Sequence, residues 1–171
     1  NTVTITADSD LDNAGNLVLG NSGAASVRSV NGPVTLNGEN ITIGDNTYSS
    51  SVFTSGSGSI DINADRGADN ISGNVTIGND GYLNAGGAVT IDGAVDVTIK
   101  TNSSSNENKS TAGSFSIGTD AANPVTGNIV IDNNINAGVA LTAAADGNIT
   151  VNRATLTTGT GDMILQADRD A

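Results

Sequence analysis

No cysteine, histidine or tryptophan occurs among the 171 residues, and there are only two prolines, two tyrosines and two phenylalanines. Each shortage removes a class of explanation. Without cysteine there is no disulfide framework. Without cysteine and histidine no Ser–His or Cys–His nucleophile pair can be built within the chain. The six basic residues, Arg28, Arg66, Lys100, Lys109, Arg153 and Arg169, are scattered against 18 acids, for a net charge of -12. A surface that grips a phosphate backbone needs a basic stripe, so nucleic acid is not an expected partner. No apolar run approaches the roughly 20 residues that cross a bilayer, so no membrane span is expected. No signal peptide is visible and the first residue is Asn1 rather than Met, which suggests a processed or excised piece of something longer. Two-carboxylate sugar hydrolysis remains compatible with the composition. Nothing singles out a pair, however, and no enzymatic activity is expected.

Helical periodicity is also missing. A helix needs apolar residues at i, i+3, i+4 and i+7 over ten or more positions. Here Gly, Asn, Asp, Ser and Thr intervene every few residues. What is present is a short phrase repeated: GNLVLGN at 15–21, GNVTIGN at 73–79, GNIVIDN at 127–133 and GNITVNR at 147–153. Apolar–x–apolar triplets run from VTI at 3–5 to MIL at 163–165. Alternation puts the outer two residues of each triplet on one face and the middle one on the other. Thus Ile77, Ile91, Ile131, Val151 and Leu165 are predicted to face inward, and Thr76, Thr90, Thr98 and Thr150 outward. Most triplets follow a Gly by two positions, Gly73, Gly127 and Gly147 among them. Glycine turns corners because it reaches positive φ. A three-residue strand, a corner and another three-residue strand make a coil around a narrow core. The 20-residue step from 127 to 147 suggests coils of about 18–20 residues, hence roughly eight of them, stacked as in repeat architectures generally.

The reading is therefore all-β: a right-handed parallel β-helix (β-solenoid) with about three short strands per coil, residues 1–171 forming a single segment. NTYSSSVFTSGSG (46–58) and KTNSSSNENKSTAG (100–113) break the rhythm and are expected to project as loops. The first holds Tyr48 and Phe53, either as ligand-contacting residues or, for Phe53, as a core residue of a short strand. Three acidic turns follow triplets: Asp8, Asp10 and Asp12; Asp65 and Asp69; Asp168 and Asp170. Alternate carboxylates suit calcium, which takes six to eight oxygens, although solvated turns have the same composition. Calcium is the only cofactor these residues suggest. Asn-x-Ser/Thr occurs at six positions, about as often as the composition yields.

The cadence GNIVIDNNINAGVALTAAADGNITVNRATLTTGTGDMILQAD (127–168) resembles the repeat regions of filamentous-haemagglutinin-type exoproteins, large bacterial surface and secreted adhesins. The resemblance runs over 127–171 and again in 58–99. It implies a right-handed parallel β-helix, an extracellular or cell-surface location, and a role as stalk, adhesin or filament. Its partners would be flanking coils or copies stacked end to end, and a host or neighbouring cell surface. The Asn-Pro-Asn-Gly motifs of that family's secretion module are missing, and Asn123-Pro124-Val125 is no substitute, so this piece corresponds to shaft. No catalytic residue carries over. Two alternatives remain: an ice- or surface-binding solenoid using outward Thr ladders, and a jelly-roll filament subunit that donates a strand.

Overall fold

The computed structural model describes residues 1–7, 14–44, 47–64, 73–93, 95–100, 107–121 and 124–169. They form nineteen strands of three to six residues. No described helix is long and apolar enough to cross a membrane. The strands fall into three sheets. The first contains β1 (Val3–Thr6), β4 (Val34–Asn37), β7 (Ile60–Asn63), β10 (Val89–Asp92), β13 (Phe115–Ile117), β16 (Leu141–Ala144) and β19 (Met163–Gln166), side by side in that order. The second contains β2 (Leu17–Leu19), β5 (Ile41–Ile43), β8 (Asn74–Ile77), β11 (Asp96–Ile99), β14 (Ile129–Ile131) and β17 (Ile149–Val151). The third contains β3 (Ala25–Val30), β6 (Ser50–Ser55), β9 (Gly81–Ala85), β12 (Asn108–Ser110), β15 (Ile135–Ala137) and β18 (Leu156–Thr158). Each strand pairs with the strand three further along the chain, and these pairings are parallel, as in Val3↔Val34, Leu17↔Ile41 and Ala25↔Ser50. The chain is thus a parallel β-helix with three strands per coil. A jelly roll, built from antiparallel pairs, is overturned by this register.

Parity explains the core. Columns of inward side chains run from coil to coil, as in Leu36, Ile62, Ile91 and Ile117 on the first sheet or Ile43, Ile77, Ile99 and Ile131 on the second, all fully buried. Val151 and Leu165 occupy the same columns, paired with Ile131 and Ala143, but are 38% and 43% exposed because no described coil lies over them. The Thr residues predicted to face outward do so: Thr76, Thr90 and Thr98 alternate with buried neighbours, and Thr150 continues the outward column of Thr98 and Val130. The third sheet is lined differently, with Thr54 and Ser110 turned inward. Their hydroxyls donate to the carbonyls of Gly58 and Gly113 at 2.5 and 2.9 Å, so the turn leading to the first sheet supplies the acceptor that burial requires.

Two expectations need correction. Stepping from Val3 to Val34, Ile60, Val89, Phe115, Leu141 and Met163, one coil takes 31, 26, 29, 26, 26 and 22 residues. The described strands make six complete coils, and β19 opens a seventh. The 20-residue step from Ile129 to Ile149 is the shortest in its column. The distances from 15 to 73 and from 73 to 127 each cover two coils, because β5 and β11 lie between and lack the Gly-Asn signature. Secondly, Ser50–Ser55 and Asn108–Ser110, inside the two stretches expected to project, are strands of the third sheet. Their Ser-rich composition hides them, since polar Ser50, Thr54, Asn108 and Ser110 take the inward positions.

The Gly-Asn phrase has two structural causes. The Asn forms a ladder at the start of the second sheet: Asn40 Nδ2 donates to Asn16 Oδ1 at 2.8 Å, and the Asn74 N–H donates to Asn40 Oδ1 at 2.9 Å. Further along, the Asn128 N–H reaches Asp96 Oδ1 and the Asn148 N–H reaches Asn128 Oδ1 at 2.6 and 3.0 Å. The Gly lets one coil rest on the last. A Cβ on Gly147 would meet the Gly127 carbonyl oxygen at 2.5 Å, and one on Gly138 would collide with the Thr111 carbonyl. Close approach of main chains, rather than positive φ, requires glycine at these two positions. Gly73 does take positive φ, at 101°.

Candidate functional site

Three outward faces and the corners between them are the surfaces available for contact. On the first sheet a column of Thr4, Thr35, Asp61, Thr90, Ser116 and Thr142 runs across the strands. On the second, Val18, Thr42, Thr76, Thr98, Val130 and Thr150 do the same. Beta-branched Thr suits an exposed strand face. On the first sheet a further column of Thr6, Asn37, Asn63 and Asp92 runs beside the Thr column, with Asn37 and Asp92 buried. Beside the second column, a shallow depression of about 420 Å³ lies between the Thr98–Val130–Thr150 run and the Asp96–Asn128–Asn148 part of the ladder.

The third sheet presents a different face. Its outward column reads Arg28, Phe53, Asn84, Lys109, Asn136 and Thr157. Because β3, β6 and β9 are longer than three residues, a second column of Ser26, Ser51 and Tyr82 runs beside it. The Ser26 and Ser51 hydroxyls lie 3.1 Å apart. The Arg28 guanidinium carbon sits 4.9 Å from the centroid of the Phe53 ring, a cation–π arrangement. Phe53 therefore points outward and is half-buried, whereas Val52 and Thr54 on either side are buried. The expectation of Phe53 as a core residue is overturned: with Val52 and Phe53 adjacent, apolarity alone does not tell which of the two faces inward. Tyr48, 41% exposed, precedes β6 by two residues. Sequence reasoning missed Arg28, Tyr82, Asn84 and Lys109. They are brought together only by a register of 25 to 31 residues per coil, as in Arg28↔Phe53, Phe53↔Asn84 and Asn84↔Lys109.

Of the acidic turns, Asp8, Asp10, Asp12, Asp65, Asp69 and Asp170 lie outside the described residues. Asp168 is described. It takes a φ of 55°, its N–H donates to the Gly147 carbonyl at 3.2 Å, and its neighbour Arg169 pairs with Asp146 at 3.3 Å. Among the described residues no group of three acidic side chains is placed to hold a metal ion. Among the described residues, the carboxylate with a perturbed proton affinity is Asp92, 6% exposed at the end of β10. Burial pushes its carboxyl above the usual range, and the charges of Asp120 and Asp61 push the same way. The N–H groups of Thr119 and Asp120, at 2.8 and 3.1 Å, oppose the shift. Asp92 lies below the surface of the corner, so its arrangement is that of a brace between coils.

Comparison with protein-family models, with curated proteins and with solved structures found no match to the chain.

Proposed function

We propose that the chain is a non-enzymatic shaft segment of an extracellular bacterial surface protein or filament of the filamentous-haemagglutinin type, carried by coil stacking. The observation that supports this most is the unbroken register: each of the three sheets continues from the first described coil to the last with strands in sequence order. Stacked coils make length in proportion to chain, at about 4.8 Å per coil. They also present the same three faces along that length, which is what a stalk that displays contact sites requires. The Thr columns support an ice- or surface-binding reading less well. Neither is continuous: Asp61 interrupts one, and Val18 and Val130 interrupt the other.

Antibody raised against the isolated chain tests the proposal on cells that express the protein. Labelling of intact cells, seen by electron microscopy away from the outer boundary of the envelope, is the expected result. Labelling that requires permeabilised cells would overturn the extracellular reading. Force spectroscopy tests the mechanical part. Coils that give way one at a time should release lengths of 22 to 31 residues, about 70–110 Å each at full extension. A single low-force event releasing the whole chain would argue against a shaft.

A further inference from the structure

Aromatic side chains are scarce in this chain, and two of the four share one outer face. Phe115 is buried in the core. Phe53 and Tyr82 lie on the outer face of the third sheet, diagonal neighbours on adjacent strands, and Tyr48 precedes β6. The same face carries two cations in one column, Arg28 and Lys109, with three coil steps between them, about 14 Å. Neither makes an ion pair with a described carboxylate, although the protein carries a net charge of -12. Within the strands its outward positions carry no acid, unlike the first sheet's column with Asp61. The Asn84↔Lys109 register places exposed Glu107, just before β12, beside Tyr82 at the margin of the second column. The nearest acids in sequence, Asp80 and Glu107, precede β9 and β12 and so flank the face along one side.

We infer that this face binds a saccharide of the uronate class, a sugar ring bearing a carboxylate. Each part of the patch matches one part of that ligand. Phe53 holds the Arg28 guanidinium against its ring, leaving the planar N–H edge to take a carboxylate through two parallel hydrogen bonds. Tyr82 supplies an apolar ring surface with a hydroxyl at its tip. The Asn84 amide and the Ser51 hydroxyl supply donors and acceptors for ring hydroxyls. Lys109 stands along the column for the carboxylate of a later sugar in the same oligomer. An acidic peptide suits the surface less well. Peptides dock on sheets by adding a strand to an edge. Arg28 lies on the terminal described strand β3, but Phe53, Tyr82 and Lys109 lie on β6, β9 and β12, paired on both sides, out of reach of an added strand's ladder. The inference deepens the shaft reading by naming what one face of the shaft would hold, and its test does not depend on where the protein resides.

The test is an amide NMR titration of the nitrogen-labelled chain with a galacturonate oligosaccharide, the same oligosaccharide fully methyl-esterified, and an oligo-aspartate peptide. Expected are shifts confined to β3, β6, β9 and β12, with the ester at least about tenfold weaker, as loss of a charge-assisted bidentate contact implies. Arg28→Gln should weaken the oligosaccharide by roughly tenfold or more, with the spectrum elsewhere superimposable, since Arg28 is exposed. Lys109→Gln should weaken the oligosaccharide and leave monomeric galacturonate unchanged. Equal binding of the ester, equal binding of oligo-aspartate, shifts scattered over the molecule, or no shifts would each overturn the inference. The surface labelling described above would be unaffected by any of these results, so failure of the ligand and failure of the shaft are separable.

Discussion

Asp96 receives both the backbone N–H and the side-chain Nδ2 of Asn128 on one carboxylate oxygen, at 2.6 and 3.2 Å, in a column whose other described rungs are asparagines. A carboxylate accepts but has no N–H to hand down. Among the described residues no hydrogen bond links the Asp96 side chain to Asn74, so the ladder is broken at this rung. Asp96→Asn should mend it by donating to Asn74, raising stability by about 0.5–1.5 kcal/mol. Asn128→Ala removes a rung that bonds on both sides and should lower it by about 1–2 kcal/mol, a few degrees of melting temperature for a chain of this size. Denaturant titration of both variants decides the matter. If Asp96→Asn destabilises, the ladder is not the reason for these asparagines.

The buried carboxylate of Asp92 predicts a pH signature. Its native proton affinity is raised above the ordinary value of 3.8. In the window between that value and the raised one, the native state keeps a proton that the unfolded chain has lost. This group's contribution to stability therefore falls as pH rises through the window, and levels off above it. Asp92→Asn keeps an oxygen for the Thr119 and Asp120 N–H groups and removes the charge. The variant should be at least as stable as the parent at neutral pH, and the difference between them should shrink on acidification. Melting curves across the window check this, and a difference independent of pH would refute it.

Depth in a column sets the cost of a buried charge. Ile131→Asp places a carboxylate where the side chain is fully enclosed, and should cost several kcal/mol, enough to unfold the neighbouring coils. Val151→Asp, one coil further in the same column and 38% exposed, should cost about 1 kcal/mol or less. Circular dichroism and thermal melts of the pair give the comparison. Equal losses would mean that the columns do not carry the stability.

Glycines of two kinds should respond in opposite ways to alanine. Gly138→Ala brings a methyl into the Thr111 carbonyl of the coil below and should destabilise by more than about 1 kcal/mol. A Cβ on Gly23 would meet nothing within 4 Å, and the residue has no positive φ. Gly23→Ala should be neutral or stabilising by up to about 1 kcal/mol through the unfolded chain's lost freedom. Matched denaturation curves separate the two.

Period-two alternation makes the inward and outward residues legible wherever a strand is built of Val, Thr and Ile. It assigns Ile77, Ile91 and Thr98 to their correct faces. It is silent on β6, where Ser50, Val52 and Thr54 face inward and Phe53 faces out, because neither face is apolar throughout. Coil length escapes it because corners of unequal length carry no periodic signal. The Asn-x-Thr triplets at Asn40, Asn74 and Asn148 have a structural source: a ladder Asn, an inward Ile or Val, and an outward Thr. The patch of Arg28, Phe53, Tyr82 and Lys109 leaves no local motif, since its members come from four different coils and are assembled by register alone.

Coils of 31 and 22 residues lie in the same stack without displacing a rung. The difference in length falls between strands, and the strands on either side keep their partners. Length at the corners is therefore evolutionarily cheap, while a single residue gained inside a strand would turn its buried side chains outward. Lineages of this protein should drift by insertion and deletion at the corners long before they drift in the strands. The corners are accordingly where new peptide segments could be spliced in, leaving the coil beneath to fold as before.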